Sequence, residues 1–506
     1  MSASALLADG IARAGVRHVF GVPGSGPTLE LIQALEQRGV RFTTTYFEGA
    51  AALMAGTIGR LSGTPGVALA IKGPGFANLS QGLAASWFEA FPVVALVEAH
   101  PPNVDWRVRH KGMDQELLSR VVAKGRFPLG AAPDFAKLAA FAAAEQPGPV
   151  VAEFIGGESA VPPPSADTPA DPQVADAIRA ARRPLVIVGS LAIRKGWGAR
   201  LAALKVPVFS TAAAKGVIDE TLPQAANVYT GVGLAKAPEA SLLPDADLIV
   251  GIGLRPGEVL ATKPFAVPAV NIDTIPSAAA FGFLATSSDA HAAFDALAQK
   301  EWAIPRVQLA VGKLRLQMLS GAFTPAQVYE AVDAHFAGTV RAVFDTGYFC
   351  TIGEHAWRAR RPDWFLISGQ GRYMGTGIPM ALGAGFHDNT VPTVAFLGDG
   401  GIGTHVGELR LAVQNRLPIL FVLMTDGGFG SVRTRAIKEN LTQGPLIMRE
   451  PSWLKIINAM GIPGARTESL ADFTSALAAW RWREGPAYLE VPFDPDLYPR
   501  MVEGIR

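Results

Sequence analysis

"VPTVAFLGDGGIGTHVGELRLAVQNRLPILFVLMTDGGFGSV", residues 391–432, decides the fold. It holds two apolar runs, each ending in a carboxylate bedded in glycines: Asp399 after the first and Asp426 after the second, 27 positions on. The pattern predicts a buried strand over 391–397, a helix over 404–416 and a second strand over 417–425. Such a βαβ unit brings both aspartates out on one sheet edge, where ligands of parallel sheets sit.

Gly398, Gly400 and Gly401 let backbone N–H groups approach an anion, helped by the N-terminus of the helix that follows. Two carboxylates repel a bare phosphate, however. Both facts are met if a divalent cation lies between them. Mg²⁺ takes six oxygens and is commonly held by one or two carboxylates plus substrate phosphates. Asp399, Asp426 and a backbone carbonyl would give half of that shell, and a diphosphate and a water the rest. Two other readings stay open on these residues alone. Gly398-x-Gly400-x-x-Gly403 matches the dinucleotide fingerprint after a strand, although Asp399 would then face a pyrophosphate with no cation. The blander reading is a tight turn with two solvated aspartates.

The same grammar extends outward. Short β-rich runs ("GVALAI", "FPVVALVE", "PLVIVGS", "ADLIVGIG") alternate with Ala/Leu-rich helical stretches, which argues for parallel sheets covered by helices. "VPPPSADTPADP", 161–172, is too rich in proline for a helix or a central strand and reads as a linker. A second joint falls at about 301–323. It ends at Thr324-Pro325-Ala326-Gln327, a predicted N-cap, first-position proline and capping-box glutamine. The expected organisation is α/β, three doubly wound parallel-sheet domains in series, over 1–160, 173–305 and 320–506.

Composition narrows the class. Formal net charge is +1 over 506 residues with basic residues dispersed, so no nucleic-acid footprint is expected. No apolar run reaches the ~18–20 residues of a membrane span. Asp9 and Arg13 interrupt the N-terminus where a signal peptide needs an apolar core, so a cytoplasmic enzyme or domain set is expected. A single cysteine, Cys350, excludes internal disulfides and cysteine-built metal sites.

"GDG", 24 intervening residues, then a polar pair followed by "GGFG" resembles the thiamin diphosphate motif of the pyruvate oxidase, acetolactate synthase and 2-oxo-acid decarboxylase superfamily. The resemblance covers essentially the whole chain: a pyrimidine-binding first domain, a central domain and a diphosphate-binding third domain. It implies that Asp399, Asp426 and the carbonyl of Gly428 hold Mg²⁺, and that Gly400, Gly401 and Phe429 border the cofactor. Thr425-Asp426 stands where the family usually has Asn-Asn, which keeps an oxygen ligand and adds a charge. Glu48, on its own, reads as a first-turn carboxylate favoured by the helix dipole. By the resemblance it bonds N1′ of the aminopyrimidine, so that the 4′-amino group can take the thiazolium C2 proton.

Met374, in "SGQGRYMGTG", falls where a bulky apolar residue bends the cofactor; otherwise it reads as core. In "FDTGYFC" only Gly347 matches the family's diphosphate segment. "FGVPGSG" (20–26) and "KGPGFAN" (72–78) look like the loops that close over the cofactor from a partner subunit, with Pro23 and Asn78 as cofactor contacts. The resemblance therefore implies a homodimer or homotetramer. Ser25 and Gly26 match a substrate-contacting loop of benzoylformate decarboxylase. Lys72 would clamp a substrate carboxylate, or else be an internally paired lysine. "HKGMDQE" resembles the benzaldehyde lyase stretch "GIDQ", which makes Gln115 a substrate contact or, alternatively, a loop-bonding residue. The eight histidines are scattered, and neither His110 nor His405 is favoured as a proton shuttle. In the middle domain Gly251-x-Gly253-x-x-x-Gly257 misses the dinucleotide spacing by one, and FAD is not expected.

The expected activity is acetolactate synthase-like. A small 2-oxo acid is decarboxylated, and the product is released as an aldehyde or transferred to a second carbonyl. The alternatives are a thiamin diphosphate-dependent C–C lyase acting on an aldehyde-derived or acyl-CoA substrate, a non-catalytic cofactor-binding regulatory protein, and a nucleotide-dependent oxidoreductase.

Overall fold

The computed structural model describes residues 2–100, 110–154, 168–277, 279–448 and 452–505. Most of the expected linker, 161–167, lies outside them. Among the described residues eighteen strands form three six-stranded sheets, and every strand pair is parallel. The first sheet holds β1 (His18–Gly21), β2 (Arg41–Thr44), β3 (Gly66–Ala70), β4 (Val93–Glu98), β5 (Gly125–Leu129) and β6 (Pro149–Phe154). The middle sheet holds β7 (Pro184–Val188), β8 (Val208–Ser210), β9 (Ala225–Val228), β10 (Leu248–Ile252), β11 (Ala269–Ile272) and β12 (Thr286–Ser287). The last holds β13 (Arg341–Phe344), β14 (Phe365–Ile367), β15 (Thr393–Gly398), β16 (Ile419–Thr425), β17 (Gly464–Arg466) and β18 (Ala487–Pro492).

The first and last sheets share one topology. Their orders are β2-β1-β3-β4-β6-β5 and β14-β13-β15-β16-β18-β17, whereas the middle runs β12-β11-β10-β7-β8-β9, the order of a dinucleotide-binding fold. Each sheet has a switch point, where successive connections leave in opposite directions, between β1 and β3, β7 and β10, and β13 and β15. Crevices open there beyond the strand ends.

Strand composition shows why both faces are covered. In β3, Val67 and Leu69 face one apolar cluster while Ala68 and Ala70 face another. In β15, Val394 and Phe396 point one way, and Ala395 and Leu397 the other. The sides carrying Ala68, Ala70, Ala395 and Leu397 belong to a single core shared by the first and last sheets, whereas the middle sheet has cores of its own. In that shared core the Glu48–Ser62 helix packs on the Gly377–His387 helix. A Cβ on Gly383 would lie 2.7 Å from the Met54 carbonyl oxygen, so a glycine is needed for the approach.

The capping box forms as read: the Gln327 N–H donates to Thr324 Oγ1 and the Thr324 N–H to Gln327 Oε1, starting the Pro325–His335 helix. One element differs. The helix after β15 begins at Asp399, not at 404, and the glycines expected in a turn make its first coils. Poor intrinsic propensity in "DGGIG" is overridden by packing, because a Cβ on Gly401 would sit 2.2 Å from Asp345 Oδ2. The expected helix is also interrupted by a 3₁₀ turn at Val406–Glu408.

Candidate active site

At the crevice of the last sheet, β13 delivers Asp345 and β15 delivers Asp399. Asp399 is buried and turns its carboxylate across to the end of β16. Oδ1 accepts from Thr425 Oγ1 at 2.6 Å, and Oδ2 from the N–H groups of Asp426 at 2.9 Å and Gly427 at 3.1 Å. Asp426 bends back to accept the Gly428 N–H at 3.2 Å. Burial, and then the neighbouring Asp399 charge, push the Asp426 carboxyl up to about 7. Two desolvated carboxylates face one another here, and a divalent cation relieves that repulsion. Asp345 is the third acid of the crevice. Burial raises it to about 6 against the N–H groups it accepts from Thr346 and Gly375.

Backbone is laid bare around these acids. The helices starting at Tyr348 and Asp399 have glycine N-caps, Gly347 and Gly398, with no side-chain cap. Their first-turn N–H groups are the donors an anion uses. Gly400 marks where three expected site residues meet: a Cβ there would lie 2.6 Å from both Met374 Sδ and Phe429 Cε1. Phe429 and Gly428 are fixed in turn, Phe429 by its N–H to Leu446 O at 2.9 Å and Gly428 by a bridge to Ile447. The backbone donors and the acids fit a diphosphate bound with a cation. Phe349 is buried against Gly347 and Gly398, which removes it from any anion contact.

The crevice of the first sheet carries the other half. Glu48 opens its helix, is buried, and accepts Asn78 Nδ2 at 3.0 Å. Pro23, Ser25 and Gly26 are exposed on the loop after β1. Lys72 follows β3 as expected, but its ammonium is paired with buried Glu98 at 3.2 Å. Glu98 also crowds the β1 loop, since a Cβ on Gly26 would be 3.0 Å from its Oε1. Lys72 is thus a bracing ion-pair member and not an unpaired cation facing a substrate. Gln115 is likewise committed. Its amide donates to Glu98 O at 3.1 Å and Glu153 Oε1 at 2.9 Å and accepts the Gly73 N–H at 3.3 Å, which ties the turn after β3 to the ends of β4 and β6.

Three consecutive segments match thiamine pyrophosphate enzyme families: the N-terminal TPP binding domain over residues 1–119, the central domain over 172–300 and the C-terminal TPP binding domain over 345–491. The chain belongs to the thiamin diphosphate-dependent enzyme superfamily. Its similarity to other members of the superfamily runs end to end. It is 27% identical to an acetolactate synthase of Bacillus subtilis across 97% of this chain and 92% of that one. It is 25% identical to the "Probable 2-ketoarginine decarboxylase AruI" of Pseudomonas aeruginosa across 95% and 92%. It is 27% identical to a catabolic acetolactate synthase of Raoultella terrigena across 95% and 93%. Among the described residues no helix is long and apolar enough to cross a membrane.

The middle crevice contrasts with the other two. Glu258 is buried there and accepts the Ser190 N–H at 2.8 Å, Ser190 Oγ at 2.6 Å and Thr211 Oγ1 at 2.8 Å. Arg255 grips Asp273 with two bonds, at 2.7 and 3.1 Å, and Glu145 with a third at 2.9 Å.

Sequence reading missed Asp345, Glu98, Glu153 and Glu258 as site-forming acids. Asp345 had a signal, a carboxylate between an apolar run and a glycine in "FDTG". The others are recognisable only through partners distant in sequence.

Proposed function

We propose that this protein is a thiamin diphosphate- and Mg²⁺-dependent enzyme of the acetolactate synthase-like group, which decarboxylates a small 2-oxo acid and passes the remaining acyl unit to a second carbonyl compound or releases it as an aldehyde. The observation that carries this reading is the desolvated Asp399–Asp426 pair on its glycine bed, facing helix N-termini that have no side-chain cap. The end-to-end likeness to acetolactate synthases supports it.

In this reading Asp399, Asp426 and the Gly428 carbonyl hold the cation. Backbone at Gly347, Gly400 and Gly401 receives the diphosphate. Met374, backed by Phe429, bears on the rings. The bound cofactor supplies an electron sink beside the reacting carbonyl. Glu48, its carboxylate oriented by Asn78, holds and returns a proton at the aminopyrimidine. Pro23 and Asn78 close the cofactor site, and Ser25 and Gly26 border the substrate. Lys72 and Gln115 brace the loops that carry these residues and leave few titrating groups to face a substrate, a pocket suited to carboligation. We place the domains at 1–160, 173–305 and 320–506. The enzyme works as a homodimer or homotetramer in the cytoplasm. Apolar side chains left open around both crevices support a covering partner, with Tyr46 69%, Phe88 48% and Met374 41% exposed. The middle domain takes no nucleotide, a reading supported by Glu258 and Arg255, which are buried and bonded to groups of this chain at its crevice.

The test is a panel of aliphatic, aromatic and cationic 2-oxo acids with thiamin diphosphate and Mg²⁺, following CO₂ and all carbon products with and without an acceptor. CO₂ with an acyloin-type product is expected. CO₂-free cleavage of an acyloin would replace this reading with the lyase. Glu48→Gln should keep cofactor affinity while C2-proton exchange, read by NMR, falls by about 10²–10⁴; unchanged exchange would remove Glu48 from its role.

A further inference from the structure

Two buried carboxylates outside the machinery described above tie the first and last domains together, each acting in the opposite direction. Glu89 follows the Pro74–Phe88 helix of the first domain. Its oxygens accept the Ser368 hydroxyl at 3.0 Å and the N–H groups of Gly369 at 3.1 Å, Gln370 at 3.1 Å and Gly371 at 2.8 Å. Ser368 Oγ then accepts the Tyr373 N–H at 2.9 Å, so residues 368–373 wrap around one carboxylate. Met374 is the next residue. Phe88 packs beneath the same loop, its ring 5.9 Å from that of Tyr373.

Glu408, 1% exposed in the last domain, reaches the other way. One oxygen accepts the N–H groups of Tyr46 at 2.8 Å and Phe47 at 3.0 Å, the two residues before Glu48. Arg410 adds a bond to Thr44 O at 2.6 Å and stands 4.1 Å over the Tyr46 ring. The His405 ring lies 5.7 Å from that of Phe47. Among the described residues neither Glu89 nor Glu408 forms an ion pair, so backbone N–H groups and one hydroxyl are what make their burial tolerable. A carboxylate accepting several main-chain donors fixes the conformation of those donors more tightly than a side-chain ion pair would, because the charge is shared among rigid peptide units.

We propose that Glu89 and Glu408 are reciprocal positioning residues: Glu408 sets the turn that presents Glu48, and Glu89 sets the loop that presents Met374. Each domain thereby fixes the cofactor-facing element of the other. This rests on the function proposed above. It predicts two different defects, because Glu48 handles a proton and Met374 shapes the cofactor's seat.

The experiment compares Glu408→Gln and Glu89→Gln in the full-length protein with Mg²⁺. It reads thiamin diphosphate affinity by calorimetry and C2-proton exchange of the saturated cofactor by NMR. Glu408→Gln should slow exchange by about tenfold or more while affinity stays within about threefold. Glu89→Gln should weaken affinity by about tenfold while exchange at saturation stays within about threefold. Equal changes in both readouts, or a lowered melting temperature with both readouts unmoved, would overturn the proposal, since a general brace gives those results. If either glutamine variant misfolds, Arg410→Ala removes the bond to Thr44 O from one clamp and Ser368→Ala removes the hydroxyl's two bonds from the other. They must show the same split at smaller amplitude, and its absence overturns the proposal. Wild-type protein that binds no thiamin diphosphate would overturn the functional reading, and the clamp with it. A failed split in protein that binds and exchanges would overturn the clamp alone.

Discussion

The middle and last sheets are built from the same kind of strand and each has a switch point in its order, yet their crevices are opposites. In the middle sheet Glu258 is answered by one N–H and two hydroxyls, and Arg255 by Asp273 and Glu145. Arg255 there has its counter-charges within the chain, and both Glu258 oxygens have donors. In the last sheet Asp399 and Asp426 face each other with like charge, and Asp345 is buried against backbone donors alone. A crevice that satisfies its own groups contributes stability; one that leaves like charges together holds that conflict until a ligand resolves it. The dinucleotide-type strand order thus belongs to the sheet whose crevice acids are answered by donors and a cation of this chain.

The largest effects should separate the two crevices. Asp399→Asn keeps an acceptor oxygen for the 425–427 loop but removes one of the carboxylates proposed to hold the cation. Cofactor affinity measured by calorimetry with Mg²⁺ should fall by more than about 100-fold, beyond the usual loss for an outer-shell partner. Glu258→Gln should behave inversely. It turns an amide NH₂ toward donors, so denaturant unfolding should show a loss of about 1–3 kcal/mol while cofactor affinity stays unchanged. If Glu258→Gln weakened the cofactor as much as Asp399→Asn, the contrast would collapse. A smaller effect comes from Asp426→Asn, which restores the family's usual residue and ends the repulsion. The metal-free protein should melt several degrees higher, by calorimetric scan, with roughly 1 kcal/mol gained.

The smallest effect is on pH dependence and lies outside both crevices. Burial lowers His18 and His405 to about 4 from the ordinary 6.5. The unfolded chain binds these protons first, so stability is complete above about 6.5 and is lost as pH falls toward about 4. His405→Phe should flatten that slope in melting curves between pH 7 and 5. An unchanged slope would mean that His405 takes up its proton in the folded state at the same pH as in the unfolded chain.

What the sequence revealed follows the range of the forces involved. Alternating apolar runs, the Thr324–Gln327 box and the glycine-bedded Asp399 and Asp426 are local patterns and could be read directly. The helix starting at Asp399 could not, because its glycines are held by Asp345 across the sheet rather than by their own propensity. Gln115 and Lys72 looked like substrate contacts because their loops resemble such contacts, but Glu98 and Glu153, unseen from either motif, claim both side chains. The Glu89 and Glu408 clamps span 282 and 362 residues and leave no local trace.

The most direct measurement is a calorimetric titration of wild-type protein with thiamin diphosphate, once with Mg²⁺ and once with a chelator. Saturable binding that vanishes in the chelator is the predicted result, because the Asp399–Asp426 pair repels the diphosphate unless a cation lies between them. Equal affinity in both, or no binding in either, would contradict the assignment of this crevice as a cation–diphosphate site.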